Sequence, residues 1–233
     1  VEGYEAADTS VVSEGWLAGS ITGPRDMRVG RLLGGYAGLL DALADPVRAR
    51  IRLGVVASTV RWRKGRVEVE CRDHAGALLQ TIAAKAIVVT VPIGVLQAPA
   101  GIAGAMAFDP PLTAHERAIA LCAMGGVVKL VLQFESAFWL EPRFGERLSQ
   151  PNLDQLTFVQ TNESIDFPVW WSPYPIQAPI LVAWRGGPRA TSLSHRSSAE
   201  LESAALTSLA TVFAMKPAAV RERLAAAFHH DWV

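Results

Sequence analysis

Residues 86–96 read AIVVTVPIGVL, an apolar run rich in β-branched side chains. A run this short and this uniformly apolar predicts a central β-strand buried on both faces, because a strand with one wet face would alternate with polar residues. Pro92 lacks the N–H that a sheet ladder needs, and Gly94 permits a sharp change of direction. We therefore expect the chain to leave the sheet after Val91 and to enter a different module.

A three-stranded meander is predicted immediately upstream of this run. Its strands cover residues 51–62, 66–71 and 77–82. The second strand alternates Val67, Val69 and Cys71 with charged residues, which indicates one buried face and one solvated face. Ahead of the meander, leucines at three- and four-residue spacing in residues 39–44 predict an amphipathic helix.

The clearest two-sided pattern downstream lies in residues 127–134. One side of this predicted strand is apolar throughout and consists of Val128, Leu130, Leu132 and Phe134. The other side carries Lys129 between Val127 and Val131. A lysine in that setting either extends from an edge strand to bulk water or lines a polar site, and the strand pattern alone leaves both interpretations open.

The rest of the downstream half combines helices with short, tryptophan-rich strands. One helix is predicted to start at Thr113, with Thr113 as its cap, and the others cover residues 198–213 and 218–228. Strands are predicted at residues 167–171 and 179–184, on either side of a proline-rich corner. Together with the meander, these elements predict an α+β fold.

Composition limits the classes of partner. The chain has 233 residues, half of them hydrophobic, and its 22 basic residues balance 22 acidic ones. A neutral chain has no general attraction for nucleic acid, so the basic cluster in residues 61–66 is interpreted as a solvated hairpin tip rather than a nucleic-acid patch. The expected partner is therefore a small molecule.

Neither a membrane segment nor a metal site is predicted. Prolines and glycines interrupt the uncharged stretch at residues 86–108, which favours a soluble strand and loop over a transmembrane span. The five histidines include no pair at i, i+4 spacing, and Cys71 and Cys122 lack the spacing of metal ligands. No signal segment follows Val1, so the sequence barely constrains localisation, and we expect a cytoplasmic protein. We also expect the sequence to be an excised piece of a longer chain.

Several short segments, taken in order, carry a family resemblance. They are Gly34-Gly35-Tyr36 with the leucine-rich helix, residues 55–60 and 86–96, Phe108-Asp109-Pro110-Pro111-Leu112, Gly126-Val127-Val128-Lys129, residues 134–139 and 167–171, Gly186-Gly187-Pro188, and His230-Asp231-Trp232. In this order and spacing they resemble the flavin-containing amine oxidase family, which includes monoamine and polyamine oxidases. The resemblance covers residues 1–233. It implies an FAD-dependent enzyme that oxidises a C–N bond of a small amine or amino acid with oxygen as the acceptor.

The resemblance also implies two domains. Residues 29–112, with the helix and meander, would form part of an FAD-binding domain, and residues 113–233 would form a substrate-binding domain of mixed sheet and helices whose N-terminal segment is residues 1–28. The sequence departs from the family because it lacks both the Gly-x-Gly-x-x-Gly turn of a dinucleotide-binding fold and a second FAD-contacting segment. We therefore expect a central portion that is inactive alone, holds FAD weakly or not at all, and self-associates through exposed apolar surface.

The resemblance assigns roles to three residues near the flavin. Lys129 matches the lysine that holds a water against the reactive nitrogen of the flavin, with the substrate delivered as a neutral amine. Ala57 matches a position whose backbone contacts FAD in the family, although a small core residue would have the same pattern. Pro92 is likewise assigned to cofactor binding.

Three tryptophans are candidates for substrate binding. Trp170, Trp171 and Trp184 either line an amine cavity, where aromatic faces hold a neutral or cationic nitrogen, or pack in the core. A second function also stays open at this point. The chain would then be a stand-alone domain that binds a ligand or a partner without flavin.

Overall fold

The computed structural model describes residues 2–22, 30, 32–149, 153–161 and 164–233. Its α-helices are α1 (Glu2–Glu5), α2 (Glu14–Thr22), α3 (Tyr36–Ala44), α4 (Ile93–Gln97), α5 (Thr113–Leu121), α6 (Pro142–Arg147), α7 (Ser198–Phe213) and α8 (Pro217–Arg221). Its strands are β1 (Val56–Arg63), β2 (Arg66–Arg72), β3 (Leu78–Ala84), β4 (Ala107–Asp109), β5 (Val127–Phe134), β6 (Phe158–Gln160), β7 (Val169–Trp171), β8 (Ile180–Gly186) and β9 (Leu224–Asp231). Short 3₁₀ helices cover Asp45–Arg50, Phe138–Leu140 and Pro188–Ser192. The predicted α+β class is confirmed.

The chain divides into two units. The meander unit is Gly34–Met124, and the five-stranded unit combines Val1–Leu33 with Gly125–Val233. The meander unit thus includes α5 as well as the predicted helix and strands.

The meander unit contains a four-stranded sheet in the order β3-β2-β1-β4. Strands β1, β2 and β3 pair antiparallel as consecutive neighbours, which confirms the predicted meander, and β4 adds parallel to β1. The dry face predicted for β2 is present, because Val67 and Cys71 are buried. Helix α3 ends beside Asp45 as predicted, but none of its residues is buried, so its leucine face lies open.

The buried central strand predicted for residues 86–96 is wrong. Residues 86–92 belong to neither sheet, and residues 93–97 form α4. Val88 is 86% exposed. Apolar, β-branched composition makes a segment suitable for a strand but does not supply the neighbouring strand that its N–H and C=O groups need. The described residues offer no such neighbour beside this segment.

The five-stranded unit is built on an antiparallel sheet in the order β6-β7-β8-β5-β9. Strand β5 runs between β8 and β9 and has the bounds that the sequence predicts. Its predicted apolar side, Val128 to Phe134 at alternate positions, is at most 1% exposed.

Helix α7 covers this apolar side together with aromatic rings. The helix begins with a capping box, in which Ser197 and Glu200 exchange hydrogen bonds and satisfy backbone N–H groups that would otherwise lack partners. Four phenylalanine rings pack edge to face in this core, with centroid separations of 5.2–5.6 Å between contacting pairs. They belong to Phe134, Phe138, Phe144 and Phe213. The core of this unit therefore lies on one face of the sheet.

Two further predictions from helical patterns are wrong. Residues 218–228 are not one helix, because only Pro217–Arg221 is helical and Leu224–Asp231 forms β9. The alanines in this segment are compatible with a helix or a strand. The segment is a strand because it pairs with β5 from Leu224 to Asp231. Thr113 does not cap α5; it is the first helical residue, and Leu112 occupies the cap position without a side-chain hydrogen bond.

Among the described residues, no helix has both the length and the apolar character needed to cross a membrane.

We predict that Trp170→Phe destabilises the five-stranded unit by about 2 kcal/mol or more. Trp170 is 1% exposed, and its Nε1 donates a 2.8 Å hydrogen bond to the carbonyl of Phe167. The substitution leaves that carbonyl unpaired and opens a cavity in the core. Urea denaturation followed by circular dichroism measures the change. Trp16→Phe, at an exposed position of the same unit, is the control and should stay within about 0.5 kcal/mol of wild type. Equal midpoints for Trp170→Phe and wild type would contradict the core assignment.

Candidate functional site

Lys129 lies in the middle of the five-stranded sheet rather than at its edge. It is opposite Trp184 of β8 on one side and opposite His230 of β9 on the other. Residues directly opposite on neighbouring strands project from the same face. Trp184, Lys129 and His230 therefore form one row across the sheet, on the face away from α7.

Trp171 lies beside this row. It is opposite Val182 in β8, and Val182 is two residues from Trp184 on the same face. The Trp171 and Trp184 ring centroids are 5.8 Å apart at an interplanar angle of 56°. The Nζ atom of Lys129 is 6.0 Å from the Trp171 centroid, at the outer limit of a cation–π contact. The structure thus brings together Lys129, Trp171 and Trp184, all half-buried, and we call these three residues the lysine face.

Trp170 is not part of the lysine face. Successive residues of a strand project to opposite sides, so the Trp170 side chain lies in the core and the Trp171 side chain lies on the opposite face. Its indole N–H is already used by the carbonyl of Phe167. Of the two interpretations that the sequence left open for the tryptophans, core packing describes Trp170.

The lysine face carries hydrogen-bond donors without acceptors. The Nε1 atom of Trp184 is buried and has no hydrogen-bond partner among the described residues. Within the same part of the chain, no carboxylate forms an ion pair with Lys129. Both groups can only donate. The arrangement suits a ligand or a water that supplies oxygen acceptors.

His230 and Trp232 extend the same side of the sheet, and the sequence did not indicate this. Their ring centroids are 4.1 Å apart, and the backbone N–H of Trp232 donates to the carbonyl of Val127. Asp231, which lies between these two residues in the sequence, accepts hydrogen bonds from the Ser194 hydroxyl and the Val233 N–H. Desolvation alone would raise the pKa of Asp231, but these hydrogen bonds, together with the charge interaction and backbone hydrogen bond of His195, lower the pKa. Residues at i, i+2 spacing share a face only in a strand, so the sequence could have placed His230 and Trp232 on one side only if residues 224–231 had been predicted as a strand.

Ala57 and Pro92, the two predicted cofactor contacts, lie in the meander unit. Ala57 is half-buried on β1 opposite Cys71, beside an irregularity in the pairing, and Pro92 is exposed directly before α4. A cavity of about 540 Å³ lies between the start of β1 and the loop of residues 98–107. Val56 and Ser58 line it, whereas Ala57 and Pro92 do not. The structure therefore does not join these two residues in one cavity.

The described residues contain no group of three or more histidine, cysteine or acidic side chains arranged to hold a metal ion.

Comparison with solved structures identifies similar folds. A cofactor-binding variant of putrescine oxidase matches with a TM-score of 0.65 and 19% identity, over 87% of this chain and 39% of that chain. Wild-type putrescine oxidase bound to putrescine matches with a TM-score of 0.62 and 18% identity, over the same shares. Cyclohexylamine oxidase from Brevibacterium oxydans IH-35A matches with a TM-score of 0.59 and 18% identity, over 82% of this chain and 37% of that chain. The chain thus spans about two fifths of the length of these structures, which share its fold. No curated protein matches the chain.

The sequence itself matches a family profile. The profile is that of the flavin-containing amine oxidoreductases, and the match extends over residues 6–233, almost the whole chain. The chain therefore belongs to the flavin-containing amine oxidoreductase family.

Proposed function

We propose that this chain supplies the substrate-facing part of an FAD-dependent oxidase that acts on a C–N bond of an amine or amino acid, with oxygen as the acceptor. The observation that carries the proposal is Lys129, a half-buried ammonium group in the middle of a sheet, between Trp184 and His230 and beside the ring of Trp171. A cation in such a place requires a polar partner. Membership of the family supplies the chemistry in which that partner takes part.

The lysine face fits the reactive end of a flavin site. Among the described residues, Trp184 Nε1 has no hydrogen-bond acceptor and Lys129 has no carboxylate partner, and the two tryptophan rings lie on the same side of the lysine. When bound, FAD supplies the two-electron acceptor for amine oxidation. We propose that the backbone of Ala57 and the ring of Pro92 contact FAD, and that the meander unit is part of the FAD-binding domain. Because the sequence lacks the Gly-x-Gly-x-x-Gly turn for the pyrophosphate, the chain alone should hold FAD weakly.

The role proposed for Lys129 is to orient a water molecule. Its ammonium group donates a hydrogen bond to the water oxygen and so fixes where the water hydrogens point. A protonated substrate amine beside this ammonium would be repelled, so the substrate amine should bind in its neutral form. The rings of Trp171 and Trp184 offer apolar faces to the carbon chain of the substrate.

We predict that Lys129→Met, in the protein that carries this sequence, leaves the FAD content nearly unchanged but slows a flavin half-reaction by about 10²-fold or more. Methionine preserves the length and packing of the side chain but has no N–H to donate. Stopped-flow absorbance of the flavin measures reduction by substrate and reoxidation by oxygen separately.

Lys216→Met is the matched control for Lys129→Met. Lys216 is exposed at the start of α8 in the same unit, so its substitution should leave both half-reactions at wild-type rates. Wild-type rates in both half-reactions of Lys129→Met would show that Lys129 has no role in the chemistry.

We also propose that the isolated chain self-associates through the open face of α3. Leu40 and Leu43 of this helix are more than 60% exposed, and a chain with zero net charge has little electrostatic repulsion between copies. In sedimentation velocity, the wild-type chain should form concentration-dependent oligomers. The double variant Leu40→Glu, Leu43→Glu should reduce this association, whereas Leu53→Glu, which adds a charge at an exposed position outside α3, should not. A wild-type monomer at every concentration would refute the proposal.

A further inference from the structure

His230 lies directly opposite Lys129, on the same face of the five-stranded sheet. The Cβ atoms of such a pair are about 5 Å apart, so one small group can contact both side chains. The imidazole ring packs against Trp232, with the ring centroids 4.1 Å apart. Within the described part of the chain, no hydrogen bond occupies the ring nitrogens of His230. An imidazole nitrogen is therefore available to a ligand that lies beside Lys129.

The charged groups nearest to His230 cannot take up a proton from such a ligand. Lys129 is a donor only. Asp231 is the next residue along β9, but it is opposite Val128 and so lies on the other side of the sheet, where its carboxylate accepts from Ser194.

Helix α1 brings two carboxylates to the far end of this face. Glu2 contacts Gly187, and Glu5 is exposed on the same helix. Gly187 is bonded to Gly126, which is three residues, or about 10 Å, along the strand from Lys129. Glu2 also accepts a hydrogen bond from the Thr9 hydroxyl. Of the groups that can accept a proton on this face, the imidazole of His230 is therefore nearer to Lys129 than the α1 carboxylates.

The neutral amine proposed above requires a proton acceptor. A free aliphatic amine carries an extra proton in neutral water, as a lysine side chain does. That proton has to leave before the amine can lie beside the Lys129 ammonium in neutral form. Imidazole suits this task, because it is the side-chain group that ordinarily gains and loses a proton near neutral pH.

We infer that His230 is the base that removes this proton. An imidazole nitrogen accepts the proton from the substrate ammonium, which leaves a neutral amine and an imidazolium. The ring of Trp232 stabilises the imidazolium by a cation–π contact. Because His230 is exposed, the imidazolium can pass the proton to water before the next turnover. This inference rests on the proposed function and deepens it, because it adds a catalytic residue at the same site.

The first test counts protons during binding and does not require turnover. The ligand is α,α-dimethylbenzylamine, which cannot be oxidised because the carbon next to its nitrogen has no hydrogen. It is titrated calorimetrically at about pH 8 into the FAD-loaded protein that carries this sequence, in phosphate and in Tris, because the difference in heat between the two buffers gives the number of protons released. Wild type should release almost none, since His230 keeps the proton, whereas His230→Gln should release about one per amine bound.

His229→Gln is the matched control for this titration. His229 is opposite Leu130 and projects to the other side of β9, so its substitution should leave the proton count at the wild-type value. Release of one proton by wild type would overturn the inference, because the proton would then go to water. Release of none by His230→Gln would also overturn it, since the amine would then bind with its proton. Glu2→Gln should match wild type, and a released proton in that variant instead of His230→Gln would assign the base to Glu2.

A second test follows the oxidation of benzylamine as a function of pH. The kcat/KM of His230→Gln should fall about 10²-fold near neutral pH and recover towards the wild-type value at about pH 10, where the free amine has lost its proton in solution. An equal deficit at every pH would show a structural role only, and a wild-type pH profile would show no role. Either result, with benzylamine still oxidised, would overturn the inference and leave the proposed function standing. Proton retention that depends on His230, in a protein that oxidises no amine, would support the base and contradict the proposed function.

Discussion

The alternation of side chains along β5 determines the organisation of the five-stranded unit. Val128, Leu130, Leu132 and Phe134 project to one side and are sealed beneath α7, whereas Lys129 projects to the other. Because strand side chains repeat every two residues, a shift of one residue in the pairing with β8 would move Lys129 into the core and the apolar set into solvent. Burial of four large side chains therefore fixes the register, and the register fixes the position of the lysine. Packing on one face of the sheet thus positions Lys129 on the other.

The five-stranded unit also explains how adjacent tryptophans take different roles. Trp170 and Trp171 are neighbours in sequence, but the strand directs one into the core and the other to the lysine face. The core tryptophan uses its N–H within the protein, whereas the N–H of Trp184 has no acceptor in the part of the chain that the structure describes. This difference is what a ligand site requires, because an N–H already satisfied by the backbone has nothing to offer a substrate.

Much of this fold was predictable from local patterns, and the failures have a common cause. The sequence predicted β5 and α7 with their observed bounds, because each has a regular apolar period over eight or more residues. Residues 86–92 and 224–228 were predicted wrongly, because their structure depends on whether a partner strand lies alongside. The first segment has none in the described chain, and the second has β5. For the candidate site, the resemblance singled out Lys129 and the composition offered Trp170, Trp171 and Trp184, but the separation of Trp170 from the other two and the row with His230 are not visible without the register of the strands.

The account depends most on Lys129 facing the reacting part of the flavin. A crystal structure of the protein that carries this sequence, with FAD bound, tests this directly. We predict that Lys129 Nζ lies within about 6 Å of the reactive nitrogen of the flavin ring, the span of two hydrogen bonds through one water, with Trp171 and Trp184 bordering the same chamber. A Lys129 side chain that extends into bulk solvent, remote from the flavin ring, would contradict the account.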